Sequence, residues 1–305
     1  MAKTEKPFLV KLFLGLLYTV LTLALIFGGI WVFFKIKYDI NLISTLSQLK
    51  VLQQEIKEEE KFDNLQTDAD KQDAMNVVNA CIDGLIIKEG DEYKFKDSNF
   101  NISSLMKWDL ELTDKNIGAV LNIYMSLSSG GNAVGGEVGA LSPKLIQIKF
   151  LSYDAEKQTA RINSVVKIET KNMKEKMGAF PLNMISNKIP DNIYISSTCS
   201  VAKLEGKFNY EITPEDLTIN NLDANQSAEF LTVINLVVKV GSAKELNQKL
   251  SDMLINGMIG KGADCNNGEK INGFAIALEN LGSSDFKFIE KDKKIYFVIV
   301  KKTIV

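Results

Sequence analysis

Residue types able to do chemistry are few in this chain, and their spacing limits them further. No histidine occurs in the 305 residues, which removes Ser/His/Asp and Cys/His nucleophilic machinery, imidazole metal ligands and histidine pH switches together. Cys81, Cys199 and Cys265 stand too far apart for a CxxC zinc or redox motif. Outside the cytosol they allow one disulfide and one free thiol in three alternative pairings; the plainer expectation is three isolated, buried thiols. SxxK is matched at Ser104/Lys107, Ser164/Lys167 and Ser284/Lys287, without the SDN and KTG partners of a penicillin-binding site. Asp109 and Glu111 in WDLEL would share one strand face and form the surviving acid/base option, against the simpler reading of a polar strand face. Asp68, Asp70 and Asp73 lack the glycine and distal glutamate of an EF-hand loop. No catalytic residue, metal or cofactor is therefore expected, and the chain reads as a non-enzyme.

Between residues 128 and 143 the stretch SSGGNAVGGEVGALSP is rich in glycine. It contains neither GxGxxG nor GxxxxGK[ST], and it follows a helix-like run instead of joining a strand to a helix, so a phosphate cradle is excluded. Its expected role is a flexible connection, with a mobile lid or membrane-touching loop as the sharper alternative. A formal net charge of −2 and a single arginine, Arg161, leave no basic footprint for nucleic acid.

The elements that would position any site begin with LFLGLLYTVLTLALIFGGIWVFF, residues 12–34, which carries no charge. At ~1.5 Å per residue it spans roughly 34 Å against a ~30 Å hydrocarbon core, so it reads as a transmembrane helix. Bulky Trp31, Phe33 and Phe34 at its end argue for an uncleaved anchor over a signal peptide. Trp31 suits the interface, with Lys35 and Lys37 beyond it. Lys3, Lys6 and Lys11 bias residues 1–11 toward the cytoplasm, which displays the remainder outside a cell membrane as a single-pass protein.

Ile40, Ile43, Leu46, Leu49, Leu52 and Ile56 recur at helical spacing and predict a stalk continuing from the anchor, with a charged linker completing residues 35–70. Residues 71–305 then read as one domain, with a possible internal boundary at the glycine stretch. A helix is expected over about 73–87, and another capped by Thr113. Beyond the glycines the apolar period becomes two, which predicts a hairpin, then strand pieces divided at Pro190, Gly206 and Pro214. Ser242 and Glu245 fit a capping box opening a helix striped by Leu246, Leu250, Met253, Leu254 and Met258. FKFIE and KIYFVIV form a closing strand pair whose last member, apolar on both faces, should be central or covered. The expected class is α+β: an N-terminal transmembrane helix and helical stalk, then an antiparallel, twisted sheet packed on amphipathic helices. Met173, Met177, Met184, Met253 and Met258 could line an adaptable cavity, with ordinary core packing as the default.

The order of LELTDKNIGAVLNIYM, the strand pair IQIKFLSYDAEKQTARINSVVKIE and MGAFPLNMISNKIPDNIYI, with Pro181 and Pro190 as punctuation, resembles the YpmS-like family of single-pass bacterial membrane proteins. The outer domains of that family look related to tubular lipid-binding (TULIP-like) proteins. The match covers about residues 110–200. It implies a curved antiparallel sheet against a long helix, an apolar groove between them, and no catalytic residues. Groove lining would fall to Ile146, Ile148, Phe150, Val166 and Ile168 of the hairpin and to Leu250, Leu254 and Met258 of the helix. The expected function is binding of a lipid or other amphiphile near the bilayer of the bacterial envelope; the alternative is a non-catalytic scaffold engaging an envelope protein partner.

Overall fold

A computed structural model describes residues 29, 31–56, 68–81, 86–90, 92–95, 108–128, 142–178, 182–206, 209–235, 241–259 and 283–301. Residues 12–28, on which most of the expected anchor falls, and most of the glycine stretch lie outside them. Among the described residues no helix is long and apolar enough to cross a membrane. The chain is mixed α+β with antiparallel sheets, and it divides into two units, residues 1–48 and 49–305.

In the first unit, helical residues 31–38 (α1) do not run on as a continuous stalk. Asp39 takes a left-handed φ of 53°, and the carbonyls of Lys35 and Phe34 accept the N–H groups of Asp39 and Ile40, a C-terminal cap that stops the helix. The Asn41 side chain then accepts from Ile43 N and Ser44 N and so starts α2 (Leu42–Leu52). Two short polar residues within three positions break the expected rod.

The second unit takes in the end of α2 from Leu49 and continues, in the described residues, with α3 (Asp68–Cys81), the hairpin β1 (Ile86–Glu89) and β2 (Glu92–Phe95). Ile86 and Ile87, expected to end a helix, are strand residues, because paired β-branched side chains followed by Gly90 at φ +64° favour a hairpin. Strand β3 (Leu110–Leu112) leads into α4 (Asp114–Ser128). At that junction Thr113 Oγ1 accepts Asn116 N while Asn116 Oδ1 accepts Thr113 N, a reciprocal cap.

A four-stranded meander follows, ordered β4 (Ser142–Asp154), β5 (Thr159–Glu169), β6 (Asn192–Lys203) and β7 (Tyr210–Ile219). Short helices α5 (Lys171–Lys176) and α6 (Asn183–Ser186) fill the β5–β6 connection. Strand β7 runs straight through Pro214, which the sequence treats as a divider. Proline is tolerated there because β7 is an edge strand and the register of its neighbour shifts opposite it, between Ser197 and Cys199. Helices α7 (Ala224–Asn235) and α8 (Ala243–Ile259) precede the pair β8 (Ser283–Lys291) and β9 (Lys294–Lys301). Strand β9 is central, between β3 and β8, as its two-sided apolar character requires.

One buried cluster joins the two larger sheets to α3, α4 and α8, with Phe286, Phe288, Phe297 and Ile299 meeting Ile148, Ile162, Val201 and Leu254. Phe150 stands edge-to-face on Phe288 at 5.8 Å, and Tyr210 on Phe286 at 5.9 Å, so aromatic pairs tie one sheet to the other.

Candidate functional site

The sheet and helix expected to form a groove do come together: α8 packs on β6 and β7, and α4 on β4. The register places Ile146 opposite Val166 and Ile195, Ile148 opposite Ser164 and Ser197, and Phe150 opposite Ile162 and Cys199, so these residues share the inward face. Helix α8 is aimed at that face by its start. Gly241 sits at φ +87° with its N–H and carbonyl both bonded to the Asn235 amide, a conformation that favours glycine. Ser242 N donates to Glu245 Oε2 at 2.7 Å and Glu245 N to Ser242 Oγ at 3.3 Å, the capping box read from the sequence. These bonds hold the Glu245 carboxyl below the usual carboxylate range, the backbone N–H of Ser242 being the larger cause.

Of the eight expected groove residues, Ile148 and Leu254 are buried in the common cluster, with Ile146 and Phe150 half-buried against it. Val166 and Ile168 are buried and Leu250 is half-buried; the Met258 side chain lies outside the described ones. Protein side chains from the two walls therefore meet within this cluster. Met173 and Met177 are buried far along the chain from α8, and the side chains of Met184 and Met253 are outside the described set.

Within this apolar interface lies a polar patch that hydrophobic periodicity does not reveal. Ser197 Oγ donates to Asn247 Oδ1 and approaches Ser251 Oγ at 3.5 Å, all three side chains buried. Each falls where the strand or helix pattern would admit an apolar residue, and paired hydrogen bonding is what makes their burial affordable. Cys199, next on that face, is pushed up to about 11 by burial, against a weaker opposing hydrogen bond from Ser251. Such a thiol is inert near neutrality.

The chemistry-bearing motifs are not brought together. Cys81 and Cys199 are both free and buried, so the disulfide allowed by the sequence does not join them; burial also raises the Cys81 thiol. Ser164 and Lys167 lie three apart on β5, which puts them on opposite faces; the Ser284 side chain and residues Ser104 and Lys107 are outside the described ones. Asp109 accepts the backbone N–H of Lys301, and Glu111 pairs with Lys291 at 3.6 Å. Asp73 accepts from Asn116 and Asp70 pairs with Lys115, docking α3 on α4. Among the described residues no group of three or more carboxylates and thiols is disposed to hold a metal ion.

Two further arrangements escaped sequence reading. On the outer face of the four-stranded sheet, Arg161 Nε and Ser200 Oγ each donate to Glu215 at 2.6 Å. Burial raises that carboxyl, but the Ser200 and Arg161 contacts outweigh it and leave the net shift downward. At the end of the same sheet Asn220, at φ 50°, accepts from Tyr194 N at 2.7 Å and donates to Leu52 O at 3.2 Å. Asn221 donates to Glu55 O and Gln53 to Lys188 O, while Ile56 packs with Val165, Tyr194 and Leu145. Residues 52–56 are thus strapped to the sheet. The paired asparagines after a strand are the one sequence signal for this, since asparagine tolerates left-handed turns.

Both edges of the four-stranded sheet are protected. The Asn122 amide bonds both the N–H and the carbonyl of Ile146, and Asp114 accepts Phe150 N, so α4 covers part of the β4 edge; Pro214 interrupts the β7 edge. No protein-family model, curated protein or solved structure matches the chain.

Proposed function

We propose that this is a single-pass membrane protein, anchored by residues 12–34 with its N-terminus cytoplasmic, whose α+β domain lies outside the cytosol and binds a lipid or similar amphiphile between the four-stranded sheet and α8. The observation that carries the membrane part is the surface of the first unit, where Trp31, Val32 and Phe33 at the end of the uncharged run and Ile36 just beyond it are exposed. Exposed aromatic and aliphatic side chains flanked by Lys35 and Lys37 suit a bilayer boundary and not open water. The amphiphile reading draws support from the Ser197–Asn247–Ser251 patch inside apolar walls, which offers polar groups to a ligand that is otherwise apolar.

The scaffold reading is favoured by one observation, the meeting of Ile148 and Leu254 within a single buried cluster. Its strand-addition form is weakened, because α4 covers part of one edge of the larger sheet and Pro214 breaks the other. Native mass spectrometry of the full chain released from detergent, with uptake of labelled phospholipid from vesicles, separates the two. Lipid-binding predicts a retained phospholipid mass and saturable uptake. A ligand-free spectrum without uptake would remove it and leave the scaffold.

A further inference from the structure

Helix α2 buries Leu49 and Leu52, each 1% exposed, and yet carries large apolar side chains on its outer face as well. Ile43 is 71% exposed and Leu46 41%, while Thr45 and Gln48 are only 4% and 3% exposed. Residues 43, 46, 47 and 50 lie on one helical face, so two large apolar side chains sit beside Ser47 with Lys50 at the end, all exposed. A helix whose outer face meets only water carries polar residues there. Position supplies the missing partner. Helical residues 35–38 rise about 6 Å beyond Phe34 along a bilayer normal, roughly the depth of one headgroup layer. There the left-handed cap at Asp39 and the Asn41 cap turn the chain and begin α2. Lys35 is paired to Asp39 at 2.5 Å, and Lys37 stands over the Phe33 and Tyr38 rings at 5.2 and 5.4 Å, the mixture of cation and aromatic groups that suits that layer.

From this geometry we infer that α2 is an interfacial helix, lying on a phospholipid surface with Ile43 and Leu46 in the acyl boundary and Lys50 among anionic headgroups. The inference rests on the membrane-anchor reading and adds to it a second contact with the same leaflet, beyond the end of the uncharged run. A helix of this kind inserts its apolar face by several ångströms, about 5–10 Å.

The test uses the full chain in vesicles of phosphatidylcholine and phosphatidylglycerol containing brominated acyl chains. Tryptophan occurs only at Trp31 and Trp108, so Trp108→Phe leaves Trp31 to report the anchor. Ile43→Trp, made with both native tryptophans changed to Phe, reports α2; Leu46→Trp replaces it if circular dichroism shows misfolding. The expected result is quenching by bromolipid at both positions, by roughly twofold or more at α2, with bromine near the ester end more effective than bromine near the methyl end. If Trp31 is quenched but the α2 indole instead responds only to aqueous acrylamide, α2 is solvated and the inference fails while the anchor stands. An α2 indole reached by neither quencher is covered by protein, a second copy or another chain, and also overturns it. Loss of bromolipid quenching at Trp31 removes the anchor reading and the inference with it.

Discussion

Helices α8 and α2 both start from a polar side-chain cap, Ser242 with Glu245 in one and Asn41 in the other, and both bury leucines, yet their outer faces differ. Helix α8 buries Leu246, Leu254 and Ile255 and leaves Lys244, Glu245 and Lys249 in solvent. Where it buries Asn247, a partner is supplied by Ser197. Helix α2 buries Leu49 and Leu52 together with Thr45 and Gln48, but exposes Ile43 and Leu46. Local helix formation is alike in the two; under the interfacial proposal the medium that each outer face meets differs. Caps and propensity set where a helix begins, and only the surroundings decide which face must be apolar.

The sharpest way to break this contrast is to truncate one apolar residue in each helix. Leu254→Ala should destabilise the domain by about 2–5 kcal/mol, through lost burial and the cavity left behind. Ile43→Ala should change the same urea midpoint by no more than about 0.5 kcal/mol, since its side chain is already exposed. Both are read on the full chain in detergent micelles. Comparable losses at the two positions would show that Ile43 is a core residue and would erase the distinction.

The α8 interface also predicts a response to alkali. The Cys199 thiol is pushed up to about 11 from an ordinary 9.0, burial being the main cause. Its folded pKa exceeds its unfolded one, so between these values the folded state binds more protons and stability falls as pH rises. The contribution is fully present below pH 9 and is lost toward pH 11, amounting to about 3 kcal/mol at most. Cys199→Ser removes this titration; the difference between the two proteins' stability-versus-pH curves isolates it from tyrosine and lysine ionisation. Parallel curves over that range would mean that the thiol is more hydrated than the packing around Ser251 implies.

At the opposite end of the sheet the strap on residues 52–56 gives a smaller effect. Asn220→Ala leaves Tyr194 N without its buried acceptor, gives up the bond to Leu52 O, and forces alanine into a left-handed φ. The expected cost is about 2–3 kcal/mol. Asn220→Gly should recover about 1 kcal/mol of it by relieving the backbone while restoring no hydrogen bond. Equal losses for both variants would assign the whole effect to the side-chain amide.

Much of the domain was legible because its signals are local. The β4–β5 hairpin, the Thr113 cap, the Ser242–Glu245 box and the central placement of KIYFVIV all follow from period and capping chemistry within a dozen residues. Reading failed where a tertiary or chiral condition intervened. The Asp39 turn defeats the stalk because an acidic residue inside an apolar repeat gives no sign of φ > 0, and Pro214 is a divider only if its strand is not an edge. The polar patch at Ser197, Asn247 and Ser251 joins residues some fifty positions apart, and no period encodes such a pairing. The residues expected to line a groove stand on elements that pack together, but sequence gives no measure of how fully side chains fill the space between them.

The smallest predicted effect probes whether α2 and α8 belong to one cooperative system. Ser242→Ala removes an acceptor for Glu245 N and should lower global stability by about 1 kcal/mol, because α8 is part of the core. Asn41→Ala removes an equivalent acceptor, from Ile43 N and Ser44 N, in the unit that holds residues 1–48. Its effect should be confined to faster amide exchange at Ile43 and Ser44, with no shift in the urea midpoint. Hydrogen exchange by mass spectrometry on the full chain in micelles reads both quantities from one preparation. A midpoint shift from Asn41→Ala as large as that from Ser242→Ala would mean that the two helices unfold together. The exposed apolar face of α2 would then require an explanation within the cooperative fold, and the bilayer would lose its place as the partner that sorts its side chains.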